Sequence, residues 1–323
     1  MYAGLTSSVL RADQYSGDPA LRRVADGLRF PEGPVVLSDS TLFVVEIAGG
    51  TVLSFDPKGR RTVVAEVEGG PNGLAFGPDG ALYLCNNGGV AWRQEDGYRR
   101  PAGQPADYKG GRIQRIVPDT GEVSLLYDSC DGHPLRSPND LVFDRFGGFY
   151  FTDMGKARAR DRDHGGVYYA TPDGRSIIEV AYGFLTPNGI GLSPDDSELY
   201  VAETETARLW AFEILSPGKV RKEPFPSPTG ARLVAGLPGF RRFDSLAVDR
   251  DGNICVAAQF PGSIVAFRPD GTLVREVAMG DPFTTNICFG GADSAVAYVT
   301  RSSLGDVVAI NWHTGGLRPH FSL

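Results

Sequence analysis

The sequence is poor in histidine and cysteine, with only four of each in 323 residues. The four cysteines are too few and too scattered for a disulfide framework, and they are Cys85, Cys130, Cys255 and Cys288. Their scarcity predicts free thiols and a reducing, cytoplasmic environment. No run of about 18 uncharged apolar residues occurs, which argues against a membrane-spanning helix. The first residues lack a basic start followed by an apolar stretch, so no secretory signal is expected.

Basic residues are also fewer than acidic ones. The sequence has 32 lysines and arginines and 39 acidic residues, which gives a net charge of −7. A protein whose main partner is nucleic acid needs a basic face. We therefore expect no nucleic-acid partner and no membrane partner. A small-molecule substrate is expected instead, for a monomer or a small homo-oligomer.

Sustained helical spacing of apolar residues is absent, whereas one β-type phrase recurs six times. Each copy has a polar start, a short apolar strand, a turn of Pro, Asp or Gly, and a second alternating strand. The clearest copies are PNGLAFGPDGALYLCN from Pro71, PNDLVFDRFGGFYFTD from Pro138 and PNGIGLSPDDSELYVAE from Pro187. Weaker copies begin at Pro31, Phe243 and Thr285. Corresponding residues are 40, 67, 49, 56 and 42 positions apart, which is typical of four-stranded propeller blades.

The pattern predicts an all-β, six-bladed propeller, and two β-sandwiches are the alternative. A third strand follows every copy and a fourth follows five of them. The sixth copy lacks an outer strand, and the segment LRRVADGL before Pro31 is suited to supply it. The ring is then closed by the N-terminal strand, which leaves no exposed sheet edge. Residues 1–20 are predicted to be an N-terminal extension, and residues 21–323 a single propeller domain.

The topology predicts two rings of polar residues at one mouth of the central channel. The inner ring stands at the start of each first strand and consists of Glu32, Asn72, Asn139, Asn188, Asp244 and Asn286. The outer ring stands where each second strand returns and consists of Glu46, Asn86, Asp153, Glu203, Gln259 and Arg301. Asn72 and Asn286 are equally consistent with turn residues.

Two carboxylates of the inner ring, Glu32 and Asp244, should repel each other and lose solvation near a narrow axis. They therefore need a compensating cation. Carboxylates with amide oxygens suit a hard divalent ion, for which Ca²⁺ is the expectation and Mg²⁺ or Mn²⁺ the alternatives. Zn²⁺ is possible but less suited, since no histidine or cysteine stands in the inner ring.

Two insertions should lie at the same mouth. Residues 88–111 form a long, aromatic and arginine-rich connection of the kind that serves as a lid or binding loop. Residues 130–140 bring His133 and Arg136 toward Asn139. His133 is more consistent with an exposed loop histidine than with a catalytic one.

Four motifs in this order resemble the family of senescence marker protein, gluconolactonase and luciferin-regenerating enzyme. They are PEGP at Pro31, SPNDLVFDRFGGFYFTD at Ser137, LTPNGIGLSPDDSELYVAET at Leu185 and FDSLAVDRDGNICVA at Phe243. The resemblance spans about Leu28 to Asn311 and implies a six-bladed propeller with one divalent cation in its channel. Matched by motif, it implies the metal ligands Glu32, Asn188 and Asp244. Asn139 matches a fourth ligand in some branches and a substrate-binding residue in others.

The resemblance also implies an activity, the hydrolysis of a sugar lactone or a similar small cyclic ester. The stretches LYLCNNGG and DGHPLRSPND resemble bacterial gluconolactonase-type members, so a role in animal calcium regulation is not expected. The cation would act on the carbonyl oxygen, and Asp244 would be the catalytic residue that takes a proton from water. The residues expected to contact substrate are Asn139, Asn86, Asn87, His133, Asp153 and Arg301.

Two other functions stay open at this point. One is a calcium-dependent phosphotriesterase-like hydrolase, in which Asp244 attacks phosphorus directly. The other is a non-catalytic propeller scaffold, against which the acidic inner ring argues. A serine hydrolase is poorly supported, because no GxSxG motif occurs.

Overall fold

A computed structural model describes residues 20–322, which form six antiparallel sheets arranged as the blades of a propeller. Strands and turns make up this part of the chain, and it contains no helix and so no helix that could cross a membrane. The predicted all-β, six-bladed class is confirmed. The predicted N-terminal extension falls almost entirely outside the described residues.

In blades 1, 2, 3 and 5 the strands follow one another outward from the axis in chain order. Blade 1 consists of Pro31–Val36, Leu42–Glu46, Thr51–Phe55 and Arg61–Glu66. Blade 2 consists of Pro71–Phe76, Leu82–Asn86, Arg112–Val117 and Glu122–Tyr127. Blade 3 consists of Pro138–Phe143, Phe149–Asp153, Gly165–Ala170 and Ile177–Phe184. Blade 5 consists of Arg242–Val248, Ile254–Gln259, Ser263–Phe267 and Leu273–Ala278.

Blade 4 departs from the four-stranded pattern. It consists of Pro187–Leu192, Glu198–Glu203, Arg208–Ser216 and Arg232–Gly236, with the short strand Lys219–Val220 in addition. Its third strand has nine residues. After this strand the chain reverses, and the short strand pairs with Ile214 and Ser216 at the end of the third strand. The inner part of the same strand pairs with Arg232–Gly236 as predicted.

Blade 6 closes the ring. It consists of Thr284–Gly290, Val296–Arg301, Asp306–Asn311 and the N-terminal strand Arg22–Ala25. Arg22 stands opposite Ala309, in antiparallel register. The predicted closure by the segment before Pro31 is therefore confirmed, and joining the two ends of the chain in one sheet covers the edge of the last blade.

Close approach of the inner strands explains the glycine that follows the inner-ring residue in PEG and PNG. A Cβ added to Gly33 would lie 2.3 Å from the carbonyl oxygen of Asn72, and one on Gly73 would lie 2.5 Å from that of Asn139. A side chain is excluded at these positions. Blade 3 has Asp140 at the corresponding position, so its carboxyl group lies among the inner strands.

The segment Leu317–Ser322 packs at the far end of the channel. Leu317 N–H donates to the Val248 carbonyl at 2.9 Å, and Phe321 packs on Phe143 with ring centroids 5.9 Å apart. His320 bonds Asp196 at 3.0 Å. Beneath this segment a cavity of about 150 Å³ is lined mainly by apolar ends of the inner strands. The lining also includes Asp140 and Asn286, so this cavity extends along the axis toward the inner strands of the candidate site.

Short ribbons stand outside the blades. Trp92–Glu95 pairs with Tyr98–Pro101 in the long insertion, and Ser129–Cys130 pairs with His133–Pro134 in the second insertion. All four cysteines are free, as predicted.

Candidate metal and substrate site

All six inner-ring side chains are buried where the inner strands begin. Glu32 Oε2 accepts hydrogen bonds from Asn286 Nδ2 at 2.7 Å and from Gly33 N at 2.8 Å. Asn188 donates through Nδ2 to the Thr204 hydroxyl at 3.0 Å. The sequence left Asn286 open between an inner-ring residue and a turn residue, and the structure gives it a bond to one of the two carboxylates.

A third carboxyl group joins the two that were predicted. Burial raises the pKa of Glu32, and burial together with the charge of Glu32 raises the pKa of Asp244 well above its ordinary value. Asp140 is affected in the same way, and its pKa rises to about 7. Within residues 20–322, no lysine or arginine forms an ion pair with any of the three. Three buried acids without a counter-charge are costly unless they are protonated or bind a cation.

Asn139 supplies a second sign of a missing ligand. Its Oδ1 is buried without a hydrogen-bond partner, while its Nδ2 faces the Met154 sulfur at 3.9 Å. Buried carbonyl oxygens are normally paired, so an unpaired one suggests a water or an ion that completes it. The donor set of carboxylates and an amide oxygen fits a hard divalent cation.

The described residues contain no group of three or more His, Cys, Asp or Glu side chains placed together as a metal cluster. The proposed set depends on only two carboxylates, Glu32 and Asp244, and takes its other oxygens from asparagines. Amide ligands of this kind are common for Ca²⁺ and unusual for Zn²⁺. The residues present therefore fit the expected ion in the type of donor atom.

Most of the outer ring supports the backbone. Four of its side chains accept hydrogen bonds from backbone N–H groups one or two residues before the inner strand of their own blade. The pairs are Glu46 with Arg29 at 2.7 Å, Asn86 with Gly70 at 3.0 Å, Asp153 with Ser137 at 2.7 Å and Glu203 with Leu185 at 2.7 Å. Blades 1 to 4 thus use the end of their second strand to fix the start of their first.

This arrangement bears on three residues that were expected to contact substrate. Asn86 also donates to Gln114 at 2.8 Å and Asp153 also accepts from Arg136 N at 2.6 Å. Arg301 donates to Asp306 at 2.8 Å. The polar atoms of these side chains are engaged inside the protein, so the structure shows a supporting role for them. A substrate contact by any of the three stays a prediction.

Gln259 was placed in the outer ring by the sequence, without a role. Its side-chain amide Nε2 donates to Asp244 Oδ2 instead of contacting the backbone before its own inner strand. The Asn188 side chain also hydrogen-bonds the carboxyl group of Asp244. Asp140 was missed, because the preceding Asn139 already accounted for the PND motif.

The long insertion is fastened across the mouth on two sides. On one side Trp92 packs against Phe30 with ring centroids 4.9 Å apart. On the other side Lys156 donates to the Gly89 carbonyl at 2.7 Å and stands 5.4 Å from the ring centroid of Tyr108. Burial lowers the pKa of Lys156 to about 8. The insertion therefore bridges blades 1 and 3, as a lid over this mouth would.

Asn87 and His133 were also expected to contact substrate, and the structure places them differently. Asn87 is buried beside the start of the insertion, and its Oδ1 accepts from Gly89 N at 2.9 Å. His133 is exposed in its short ribbon, opposite Cys130, whose sulfur contacts the Ile177 carbonyl in the outer strand of blade 3. The structure thus brings Asn87 to the mouth and shows no contact between His133 and the inner ring.

Fold and site together define a six-bladed propeller with buried oxygen donors at one mouth of its channel. A family model described as the SMP-30/Gluconolactonase/LRE-like region matches residues 30–303. The chain therefore belongs to this family, as the four sequence motifs indicated.

Two relatives of known name cover most of the chain. A gluconolactonase from Zymomonas mobilis subsp. mobilis is 31% identical over 302 residues, which is 83% of this chain and 75% of the relative. The lactonase drp35 of Staphylococcus haemolyticus is 28% identical over 272 residues, or 82% of this chain and 74% of the relative.

Solved structures share the fold. A gluconolactonase from Xanthomonas campestris superposes with a TM-score of 0.71 at 24% identity, covering 91% of this chain and 90% of its own. The calcium-binding protein regucalcin from Agrobacterium tumefaciens superposes with a TM-score of 0.72 at 19% identity, covering 94% and 98%. At these identities the likeness supports the propeller architecture alone.

Proposed function

We propose that this protein is a hydrolase that opens a lactone at the mouth of its channel with the help of one divalent cation, expected to be Ca²⁺. The observation that carries the proposal is the buried group of Glu32, Asp140 and Asp244 beside the unpaired Oδ1 of Asn139. The names of the gluconolactonase and lactonase relatives support the choice of reaction.

The expected ligands are Glu32, Asn139, Asn188 and Asp244. A bound cation would supply a Lewis acid for the carbonyl oxygen and offset the charge of the carboxylates. Asn188 is well placed for a fixed ligand, because its Nδ2 donates to Thr204 at 3.0 Å and its Oδ1 accepts from Ser245 Oγ at 3.4 Å, which fixes the orientation of the amide. Asn139 retains a free oxygen for either the ion or the ester.

Asp244 is the proposed catalytic base. Gln259 donates to its Oδ2 and the Asn188 side chain also hydrogen-bonds the same carboxyl group. In the proposed step Asp244 takes a proton from water as the water oxygen bonds to the carbonyl carbon. Breaking the ring C–O bond then releases an alkoxide, which recovers that proton and becomes the hydroxyl of the product. Because burial raises the pKa of Asp244, the nearby positive charge would be needed to keep it ionised at neutral pH.

The test is lactone hydrolysis by the full chain after chelation and after return of Ca²⁺. We expect turnover to be lost on metal removal and restored by the ion, and Asp244→Asn to abolish it in a folded protein. A demonstrably metal-free sample that opens lactones at the full rate would overturn the metal-dependent mechanism. Paraoxon-like esters in ¹⁸O water provide the comparison with phosphotriester hydrolysis, since label entering Asp244 would indicate direct attack by this residue.

A further inference from the structure

Five aromatic rings form a continuous wall along one side of the mouth, and we call this set the aromatic wall. Its members in order are Trp92, Phe30, Phe283, Phe260 and Phe240. Successive ring centroids lie 4.9, 6.0, 5.3 and 5.5 Å apart. The rings come from the long insertion of blade 2 and from segments at the mouth of blades 1, 5 and 6.

The aromatic wall adjoins the residues of the proposed site. Phe30 stands two residues before Glu32, and Phe260 directly follows Gln259, which contacts Asp244. Ile47, the residue after the outer ring in blade 1, joins the same apolar cluster. The corresponding residues in blades 2, 3 and 4 are Asn87, Met154 and Thr204. One side of the mouth is thus aromatic while the other is mainly polar.

A small hydrophobic cluster often lies beneath a long loop merely to anchor it. Phe30 and Phe283 suit that role, since they are 5% and 7% exposed. The ends of the wall do not, because Trp92 and Phe260 are only half-buried and Phe240 is 72% exposed. Apolar surface that continues from a polar centre into solvent is typical of a ligand-binding groove.

We infer that the aromatic wall binds an apolar substituent of the substrate, so that the preferred lactone carries an alkyl chain next to its ring oxygen. This inference rests on the proposed lactonase function and specifies its substrate class. A sugar lactone would turn hydroxyl groups toward aromatic rings, which is unfavourable. A charged group also lies on this surface, the Arg242 guanidinium, 5.7 Å from the ring centroid of Phe240 and 6.0 Å from that of Phe260. An alkyl chain would instead cover the half-buried rings and leave the ester at the carboxylates.

The experiment measures kcat/KM of the Ca²⁺-loaded full chain on lactones of one ring size. The series is δ-valerolactone, δ-hexalactone, δ-octalactone and δ-decalactone, compared with glucono-δ-lactone. Burial of each added methylene should raise kcat/KM about fourfold. We expect δ-decalactone to exceed glucono-δ-lactone by at least roughly tenfold, which corresponds to one favourably buried side-chain-sized group.

Phe240→Ser and Phe146→Ser make a matched pair, since both phenylalanines are 72% exposed and Phe146 lies in the turn between the first two strands of blade 3, away from this mouth. Phe240→Ser should lower the ratio of kcat/KM for δ-decalactone to that for δ-valerolactone by roughly tenfold. Phe146→Ser should leave the ratio unchanged. High exposure of both positions makes misfolding of either variant unexpected, and the chain-length series on the unaltered protein tests the inference independently.

Each other result has a distinct meaning. Hydrolysis that prefers glucono-δ-lactone, or that does not vary with chain length, overturns the inference and leaves the proposed function intact. Failure to hydrolyse any lactone overturns both. If the protein is a dimer in solution that Phe240→Ser dissociates, the wall is an interface between two copies and the inference is wrong.

Discussion

Gln259 and Asp244 are joined by a hydrogen bond from the Gln259 side-chain amide to Asp244 Oδ2, within one blade at the mouth of the channel. The same position in four other blades supports the backbone, so this inward bond is particular to blade 5. Together with a hydrogen bond from the Asn188 side chain, it orients the carboxyl group of Asp244. Gln259 is therefore a positioning residue for the proposed base.

Gln259→Leu should reduce the activity by roughly 10- to 100-fold, as loss of a partner of a metal-ligating group commonly does. The fall should appear mainly in kcat, since Gln259 acts through Asp244 and is not expected to touch the substrate. Steady-state kinetics would measure kcat and KM, and calorimetric titration would measure the affinity for Ca²⁺. Glu203→Gln, at the corresponding position of blade 4, is the control and should affect stability alone. An unchanged kcat in folded Gln259→Leu would refute the positioning role.

Glu32→Gln should abolish Ca²⁺ binding and turnover, yet should not destabilise the metal-free protein. The amide can still accept from Asn286 and Gly33, while a buried negative charge beside Asp244 is removed. We expect the melting temperature in chelator to equal or exceed that of the unaltered protein, with no increase on adding Ca²⁺. Glu46→Gln in the same blade is the control, because it should weaken the fold and keep the Ca²⁺ response. A marked loss of stability in metal-free Glu32→Gln would contradict this account.

The stability gained from Ca²⁺ should increase with pH. The pKa of Asp140 rises from 3.8 to about 7 on folding, so between these values the folded protein retains a proton that the unfolded chain has released. The contribution of Asp140 to folding stability is therefore complete below pH 3.8 and is lost as the pH rises through about 7. The cation also competes with protons for the neighbouring carboxylates. Thermal unfolding at pH 5.5 and 7.5 should show a larger shift with Ca²⁺ at the higher pH, and an equal or smaller one would contradict the prediction.

Lys156→Met should loosen the long insertion. It removes the hydrogen bond to the Gly89 carbonyl and the cation above the Tyr108 ring. Trypsin cleavage after Arg93 or Arg99, both exposed in the insertion's ribbon, should become roughly tenfold faster, as expected for losing a hydrogen bond to a charged group. Lys109→Met, which changes an exposed lysine of the same insertion, is the control. Equal cleavage rates in the two variants would show that Lys156 does not fix the position of the long insertion.

Repetition made the architecture predictable. Six copies of one strand phrase at propeller spacing, together with the segment before Pro31, were sufficient for the blade number and the closure by Arg22–Ala25. The inner ring followed by topology, because equivalent positions in a repeat must lie at equivalent places. Blade 4 shows the limit of this argument, since nothing in the repeat predicts a third strand long enough to pair with Lys219–Val220.

By itself, then, the sequence determined the six blades, the ring closure and the positions of Glu32, Asn139, Asn188 and Asp244. Only the tertiary structure decided which of the polar side chains form hydrogen bonds within the protein and which do not. Asn86 and Asp153 accept hydrogen bonds from backbone N–H groups, Gln259 turns toward Asp244, and the segment Leu317–Ser322 lines a cavity at the far end of the channel. The physical reason is that spacing along a repeat specifies where a side chain stands, whereas its hydrogen-bond partners come from other parts of the chain that only folding brings near.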